Sequence, residues 1–179
     1  WNRKVDKVVY NALIGTVARK EVGADTYTNV ALPATQILGD AAAPITKQLL
    51  IDIRTKFMEN ECDEQIYVTY NSDLLNALLA DPTLTSADYL AGQLLQRGEV
   101  SNFLGFQWVH YEGIRAADGL SATGVAYTKS AVEVATNSIS PLKIVEVETA
   151  NRFHSIGHVE AIGAARSDEK KVVAFKFKS

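Results

Sequence analysis

The stretch IYVTYNSDLLNALLADPTLTSADYLAGQLLQRGEVSNFLGFQWVHYEGI occupies residues 66–114, and after a Gly/Ala loop the chain continues GVAYTKSAVEVA at residues 124–135. The order of patterns along it decides the fold class more than any single residue does. A β-branched and aromatic run at 66–70 gives way to a Leu-rich run, a second capped run, an aromatic run, a loop, and a last pair of apolar segments. Periodicity translates these into strand, helix, capped helix, aromatic strand, loop, strand and short helix. The class is α+β, and none of these elements brings a catalytic constellation with it.

Length and composition bound the rest. A chain of 179 residues forms one domain or two small lobes, and at that size roughly 70% of the unfolded surface is buried. With 47% hydrophobic and 22% charged residues, nothing points to disorder. A net charge of −3 with interspersed signs argues against a dedicated nucleic-acid binder that works by neutralising phosphates. The single cysteine, Cys62, excludes an intrachain disulfide and points to a reducing compartment. No apolar run reaches the length of a bilayer span, and no signal peptide is visible. The sequence begins at Trp1, without methionine and already inside a helical pattern, which predicts an upstream segment.

Val5, Val8, Val9, Ala12 and Leu13 recur at helical spacing, and Gly15 is the expected stop. Residues 17–38 read as extended and loop-rich: Thr26, Tyr27, Thr28, Val30 and Leu32 favour strand, and Pro33 interrupts it. Residues 40–44 form a small-residue linker. Beyond it, Ile45, Leu49, Ile53 and Phe57 lie four apart and are joined by Leu50 and Met58 in one apolar helical stripe. Thr85 and Asp88 resemble a capping box, with Asp in place of the usual Glu or Gln, opening a helix that Gly98 closes. The β-branched density of 143–148 favours a strand. His154 and His158 are four apart, as on a helix, but Gly157 and Gly163 would each weaken one by about 1 kcal/mol. After a turn at 167–170, Val173, Phe175 and Phe177 alternate with Ala174, Lys176 and Lys178 as a half-buried strand.

Motifs that would carry chemistry are weak. Gly119 and Gly124 have phosphate-loop spacing, but Val125 and Ala126 stand where Lys and Ser or Thr are required. His154, His158 and Glu160 share one face of a strand without a certain third metal ligand, and an exposed polar face is the simpler reading. Glu59, Glu61, Asp63 and Glu64 cluster without the Gly-containing spacing of a calcium loop, as at a solvated helix end. No G-x-S-x-G elbow is present, and Ser72, Ser101 and Ser130 have capping or surface explanations. Cys62 sits among carboxylates that disfavour its thiolate. Phe103, Phe106, Trp108 and Tyr111 have only His110 interleaved as a basic candidate, so core or subunit packing is favoured over base stacking.

The stations at 68–71, 85–89 (TSADY), 103–106 (FLGF) and 126–132 (AYTKSAV) together resemble the axial domain of tailed-bacteriophage major capsid proteins with the Hong Kong 97 fold. In that family a strand runs into a short Leu-rich helix, then a TSADY helix, an FLGF strand and an A-aromatic-x-KSAV segment. The resemblance covers nearly the whole chain in order. It departs after residue 114, where relatives often show Asn and Pro and this chain reads Arg115, Ala116, Ala117. It implies a Hong Kong 97-like capsid fold with an axial lobe inserted in a peripheral lobe bearing a spine helix and long strands. The implied divisions are a peripheral lobe at 1–40 (the end of the spine helix and strands), an axial lobe at 41–140, peripheral strands at 141–167, and a C-terminal strand at 168–179 returning to the axial lobe.

By the same resemblance the protein is a structural major capsid protein, with no enzymatic activity and no cofactor. It would self-assemble into pentamers and hexamers of an icosahedral shell enclosing the double-stranded DNA of a tailed phage. The implied partners are further copies of itself, scaffolding, portal and decoration proteins, and packaged DNA held without sequence-specific contacts; no membrane is involved. The implied location is the virion, after assembly in the host cytoplasm. The family's N-terminal arm and extended loop would precede Trp1, so the covalent cross-linking that some members perform through a loop lysine is not transferred. Ring-forming contacts are expected from the loop bearing Glu112, Arg115, Asp118 and Thr123 and from the surface near Asp81 and Thr85. Two rivals stand beside this reading: a nanocompartment shell protein of the same fold with protein cargo, and a soluble enzyme with a site dispersed over residues such as His110, Asp118 and His154.

Overall fold

A computed structural model describes residues 2–23, 25–80, 102–147 and 153–179. The capped helix expected near Thr85, with the candidate contact residues Asp81 and Thr85, lies outside them. Helix α1 (Asn2–Ile14) ends where the Gly15 amide turns back to the Asn11 carbonyl at 2.8 Å. A Cβ at position 15 would stand 2.5 Å from that same oxygen, so this stop requires glycine. Strands β1 (Val17–Lys20) and β2 (Tyr27–Val30) pair as a hairpin. After β3 (Ile37–Gly39), helix α2 (Lys47–Glu59) opens on Thr46, whose hydroxyl accepts from the Leu49 amide at 3.2 Å. Strand β4 (Ile66–Tyr70) runs directly into α3 (Ser72–Ala80), where the Asn71 side-chain oxygen accepts from the Leu74 amide at 2.9 Å. Strands β5 (Asn102–Phe103), β6 (Phe106–His110), β7 (Ser121–Thr128), β8 (Val132–Val147), β9 (Phe153–Arg166) and β10 (Val172–Lys178) follow.

Six strands form one mixed sheet in the order β3-β10-β7-β4-β6-β5. β10 lies parallel to β3 and antiparallel to β7, and β4 lies antiparallel to β7 and parallel to β6. The last strand of the chain thus sits inside the sheet. Its residues Val172, Val173, Ala174 and Phe175 are all buried, as a strand covered on both faces demands. The half-buried expectation therefore holds only for its outer end, where Lys176 and Lys178 reach solvent. The FLGF station also differs from a continuous strand. Leu104 (φ 54°) and Gly105 (φ 78°) form a two-residue turn between β5 and β6, and paired positive φ values give the twist a tight hairpin needs. Arg54 of α2 donates to the Leu104 carbonyl and lies over Gly105.

One core joins the sheet to its helices. Leu50, Ile53 and Phe57 of α2, Leu74 and Leu78 of α3, and Tyr10 and Leu13 of α1 meet Phe106, Phe175 and Phe177 within it. Each such large side chain contributes about 1.5–3 kcal/mol on burial. Met58, expected on the α2 stripe, is 68% exposed. It lies about 100° around the helix from Phe57 and so falls off the buried face. The short helix expected after β7 is a single 3-10 turn, Lys129–Ala131, and Val132 already opens β8. Alternating β-branched residues override the helical spacing there.

β8 and β9 leave the sheet together as a long antiparallel ribbon, paired from Val132↔Arg166 at its base to Val147↔Phe153. The pairing shifts around Ser138, Ser140 and Lys143, irregularities that bend and twist a ribbon. Helix α1 packs against β9, β8 and β7, while α2 packs against β10 and β3.

Candidate assembly surfaces

The connection from β6 to β7 opens with a 3-10 turn at Glu112–Ile114, which drives Ile114 into the core at 2% exposure. The Glu112 carboxylate accepts from the Ser72 amide at 2.7 Å and faces His110 Nε2 at 3.2 Å. It therefore neutralises the positive end of α3. Burial would raise its pKa, but the Ser72 and His110 hydrogen bonds outweigh burial and hold it below the ordinary range. Arg115 pairs with Asp73 in the first turn of α3, and that carboxylate also accepts from Ser179 Oγ at 2.6 Å and Asn71 Nδ2 at 3.0 Å. Asp118 shapes the turn, accepting from the Leu120 amide at 2.9 Å and the Ser121 amide at 3.3 Å. Thr123 lies in β7, half-buried, with its carbonyl accepting from the Tyr10 hydroxyl at 2.7 Å.

Among the candidate contact residues in the described part, Glu112 and Arg115 thus spend their side chains holding the loop against α3, and Asp118 spends its own on the turn within the loop. What the loop presents to solvent just before β7 is the Leu120 side chain, 69% exposed. Sequence reasoning passed over it, although a leucine directly after the Asp118-Gly119 turn is a visible signal.

The ribbon is the second unusual surface. Ile139, Leu142, Ile144, Val145, Ile156 and Val159 are between 52% and 68% exposed. Ile144 and Ile156 are direct cross-strand partners on one face. A two-stranded ribbon is marginal in water by itself, and exposed apolar side chains gathered on one element mark a candidate contact surface.

At the ribbon's base the chain is fastened by Arg166, a residue the sequence did not single out. Its guanidinium is buried and donates to the carbonyls of Leu13 at 2.8 Å, Gly15 at 2.9 Å and Val30 at 3.1 Å. It thereby satisfies orphan carbonyls at the end of α1 and ties β2 to the same point. Glu169 stands 3.9 Å from Arg166 and 2.8 Å from Arg19. On the other side of the base, Lys171 Nζ lies 2.7 Å from both Glu64 and Ser130 Oγ.

That last cluster has the composition of a serine–lysine nucleophile pair but not its electrostatics. A lysine base must shed its proton, whereas the Glu64 hydrogen bond raises the pKa of Lys171 and keeps it charged. Cys62 is likewise unactivated, its thiol pushed up by burial. The Glu59–Glu64 acids are drawn into separate pairs, Glu59 with Lys56 and Glu64 with Lys171. His158 pairs with Glu160 at 2.6 Å, and His154 sits opposite Glu146. Among the described residues no three His, Cys, Asp or Glu side chains converge as metal ligands. His110, Asp118 and His154 stand on β6, the 116–121 turn and the far half of the ribbon, each in a local role.

A family model described as phage capsid protein matches residues 1–179. The chain belongs to this phage capsid protein family. No curated protein sequence matches it. Among solved structures it is similar to a protein of Mycobacterium phage Che8, at 19% identity and TM-score 0.57, over 76% of this chain and 53% of that one. It is similar to the asymmetric unit of the bacteriophage PhiM1 mature capsid, at 17% identity and TM-score 0.59, over 98% of this chain and 60% of the other. It is also similar to an encapsulin complex from Synechococcus elongatus PCC 7942, at 10% identity and TM-score 0.53, over 80% and 53%. The phage capsid chain therefore has the Hong Kong 97 fold, as its motifs led one to expect. It spans roughly half to three-fifths of the length of these structural relatives.

Proposed function

We propose that this protein is the structural subunit of an icosahedral tailed-phage capsid, built from its pentamers and hexamers around double-stranded DNA. The match of the phage capsid family model over residues 1–179 carries this reading. Head-to-tail contacts between identical subunits are heterologous and close into rings, and rings join into shells. In this proposal 41–140 with the returning strand 168–179 is the axial lobe, and 1–40 with 141–167 is the peripheral lobe. The loop bearing Leu120, braced by Glu112, Arg115 and Asp118, meets the neighbouring subunit near the ring axis together with Thr123, and Asp81 and Thr85 are further contact residues. The exposed apolar ribbon reaches across to the next subunit or ring.

The function requires no chemistry, so the protein acts as a container rather than an enzyme. Scaffolding, portal and decoration proteins complete the particle, which assembles in the host cytoplasm and persists as the virion. DNA is held without sequence-specific contacts, consistent with a net charge of −3. Sedimentation of the full-length protein tests the reading: megadalton particles support it, and a species no larger than a small oligomer under all assembly conditions refutes it. A nanocompartment shell is the second reading, favoured by the likeness to an encapsulin complex. Nucleic acid within native particles selects the capsid; enclosed protein without nucleic acid selects the nanocompartment.

A further inference from the structure

Between α1 and the strands β4, β6 and β7 lies a half-open cleft of about 260 Å³, lined by Tyr10, Tyr111, Tyr127, Asp6, His110 and Val109 among others. Its aromatic walls are fixed. The Tyr10 hydroxyl is held by the Thr123 carbonyl at 2.7 Å, and its ring meets that of Tyr111 at 5.3 Å and 52°. Tyr111 is pinned in turn against Gly113, where a Cβ would stand 2.4 Å from the ring. Tyr127 stacks on Tyr67 at 5.8 Å. These contacts leave three phenol rings around one space, with the Asp6 carboxylate at its edge. Among the described residues no salt bridge engages Asp6. The carboxylate acts on the rings: burial first, then Asp6, pushes up the phenol pKa of Tyr111, and Asp6 adds to burial and Tyr67 at Tyr127.

Ring faces carry negative quadrupole potential, and several faces together with a carboxylate attract an organic cation. An anion would be repelled by Asp6, whereas a cation gains a charged partner at the exposed rim of the cleft. The cleft is large enough for a guanidinium or ammonium head together with its stem. We infer that this cleft receives an arginine or lysine side chain from a neighbouring copy of the chain, a contact that rests on the shell reading above. The chain offers such groups: Lys7 and Lys47 are exposed and engage no salt bridge among the described residues.

The test has two arms. In the first, full-length protein kept below its assembly concentration is titrated with N-methylguanidinium, and the Tyr111 and Tyr127 ring resonances are followed by NMR. Saturable shifts are expected, up to about fivefold weaker in Asp6→Asn and absent with tert-butanol as the neutral control. In the second, Asp6→Asn is expected to raise the concentration needed for shell assembly while leaving the melting temperature of the unassembled chain unchanged. Absence of cation binding in the first arm overturns the site. Cation binding with unaltered assembly overturns the neighbouring copy as its source and leaves a small-molecule cation site. Failure of the unsubstituted protein to form shells condemns the shell reading separately, because the first arm is read on unassembled protein.

Discussion

Gly124 of β7 lies flat beneath the ring of Phe175, its register partner on β10, so close that a Cβ at 124 would stand 2.2 Å from the ring. The strand that closes the chain is thereby locked against the centre of the sheet by an absence of side chain. Gly124→Ala forces Phe175 off its rotamer or separates the strands, and overpacking of this kind costs about 1–3 kcal/mol. Urea unfolding of the unassembled protein should show that loss; an unchanged midpoint would mean the sheet relaxes around the methyl group.

Arg166 fastens three elements through one guanidinium. Arg166→Met would leave the carbonyls of Leu13, Gly15 and Val30 without their donor, a loss of about 3 kcal/mol or more. Arg166→Lys should recover little, because one ammonium does not span a fork of acceptors. Hydrogen exchange should show α1 and the β1–β2 hairpin opening together in both variants. Exchange confined to the ribbon would contradict the role of Arg166 as the shared anchor.

Glu64 carries the pH dependence of the ribbon's base. The Lys171 hydrogen bond, with those from Ser130, draws its pKa down from 4.5 to about 2. A depressed carboxylate pKa stabilises the fold fully above the unfolded value, and that stabilisation is lost as pH falls through the folded value. The stability advantage of the natural protein over Glu64→Gln should therefore be constant near neutrality and shrink between pH 4.5 and about 2. A difference independent of pH over that window would show that the pair contributes nothing.

Leu120 and the ribbon separate folding from assembly. Leu120→Asp and Ile156→Asp alter exposed positions, where substitutions typically change stability by less than about 0.5 kcal/mol. Each should leave the melting temperature of the unassembled chain near its original value while suppressing ring or shell formation. Normal assembly of both variants would remove the Leu120 loop and the ribbon from the subunit interface.

Much of this architecture is legible in local pattern. The α2 stripe and the Gly15 stop follow from spacings of three to four, which one sequence displays directly, whereas β10 alternates only at its outer end because its first four residues are covered on both faces. What escapes is set by distant contacts. Arg166 reads as one charge among many because its acceptors lie 136 to 153 positions away. Arg115 looks like a loop charge waiting for a partner, yet Asp73 engages it from 42 positions earlier. The segment after Thr128 carries helical spacing but β-branched residues, and pairing with β9 settles the contest in favour of strand. Met58 shows the converse error, since apolar character alone does not place a side chain on the buried face.

Electron microscopy of the full-length protein under assembly conditions tests the capsid reading most directly. Closed, uniform, angular shells, with dense DNA inside particles isolated from their natural source, are the predicted result. Monomers or small oligomers alone, with no rings under any condition, would contradict it.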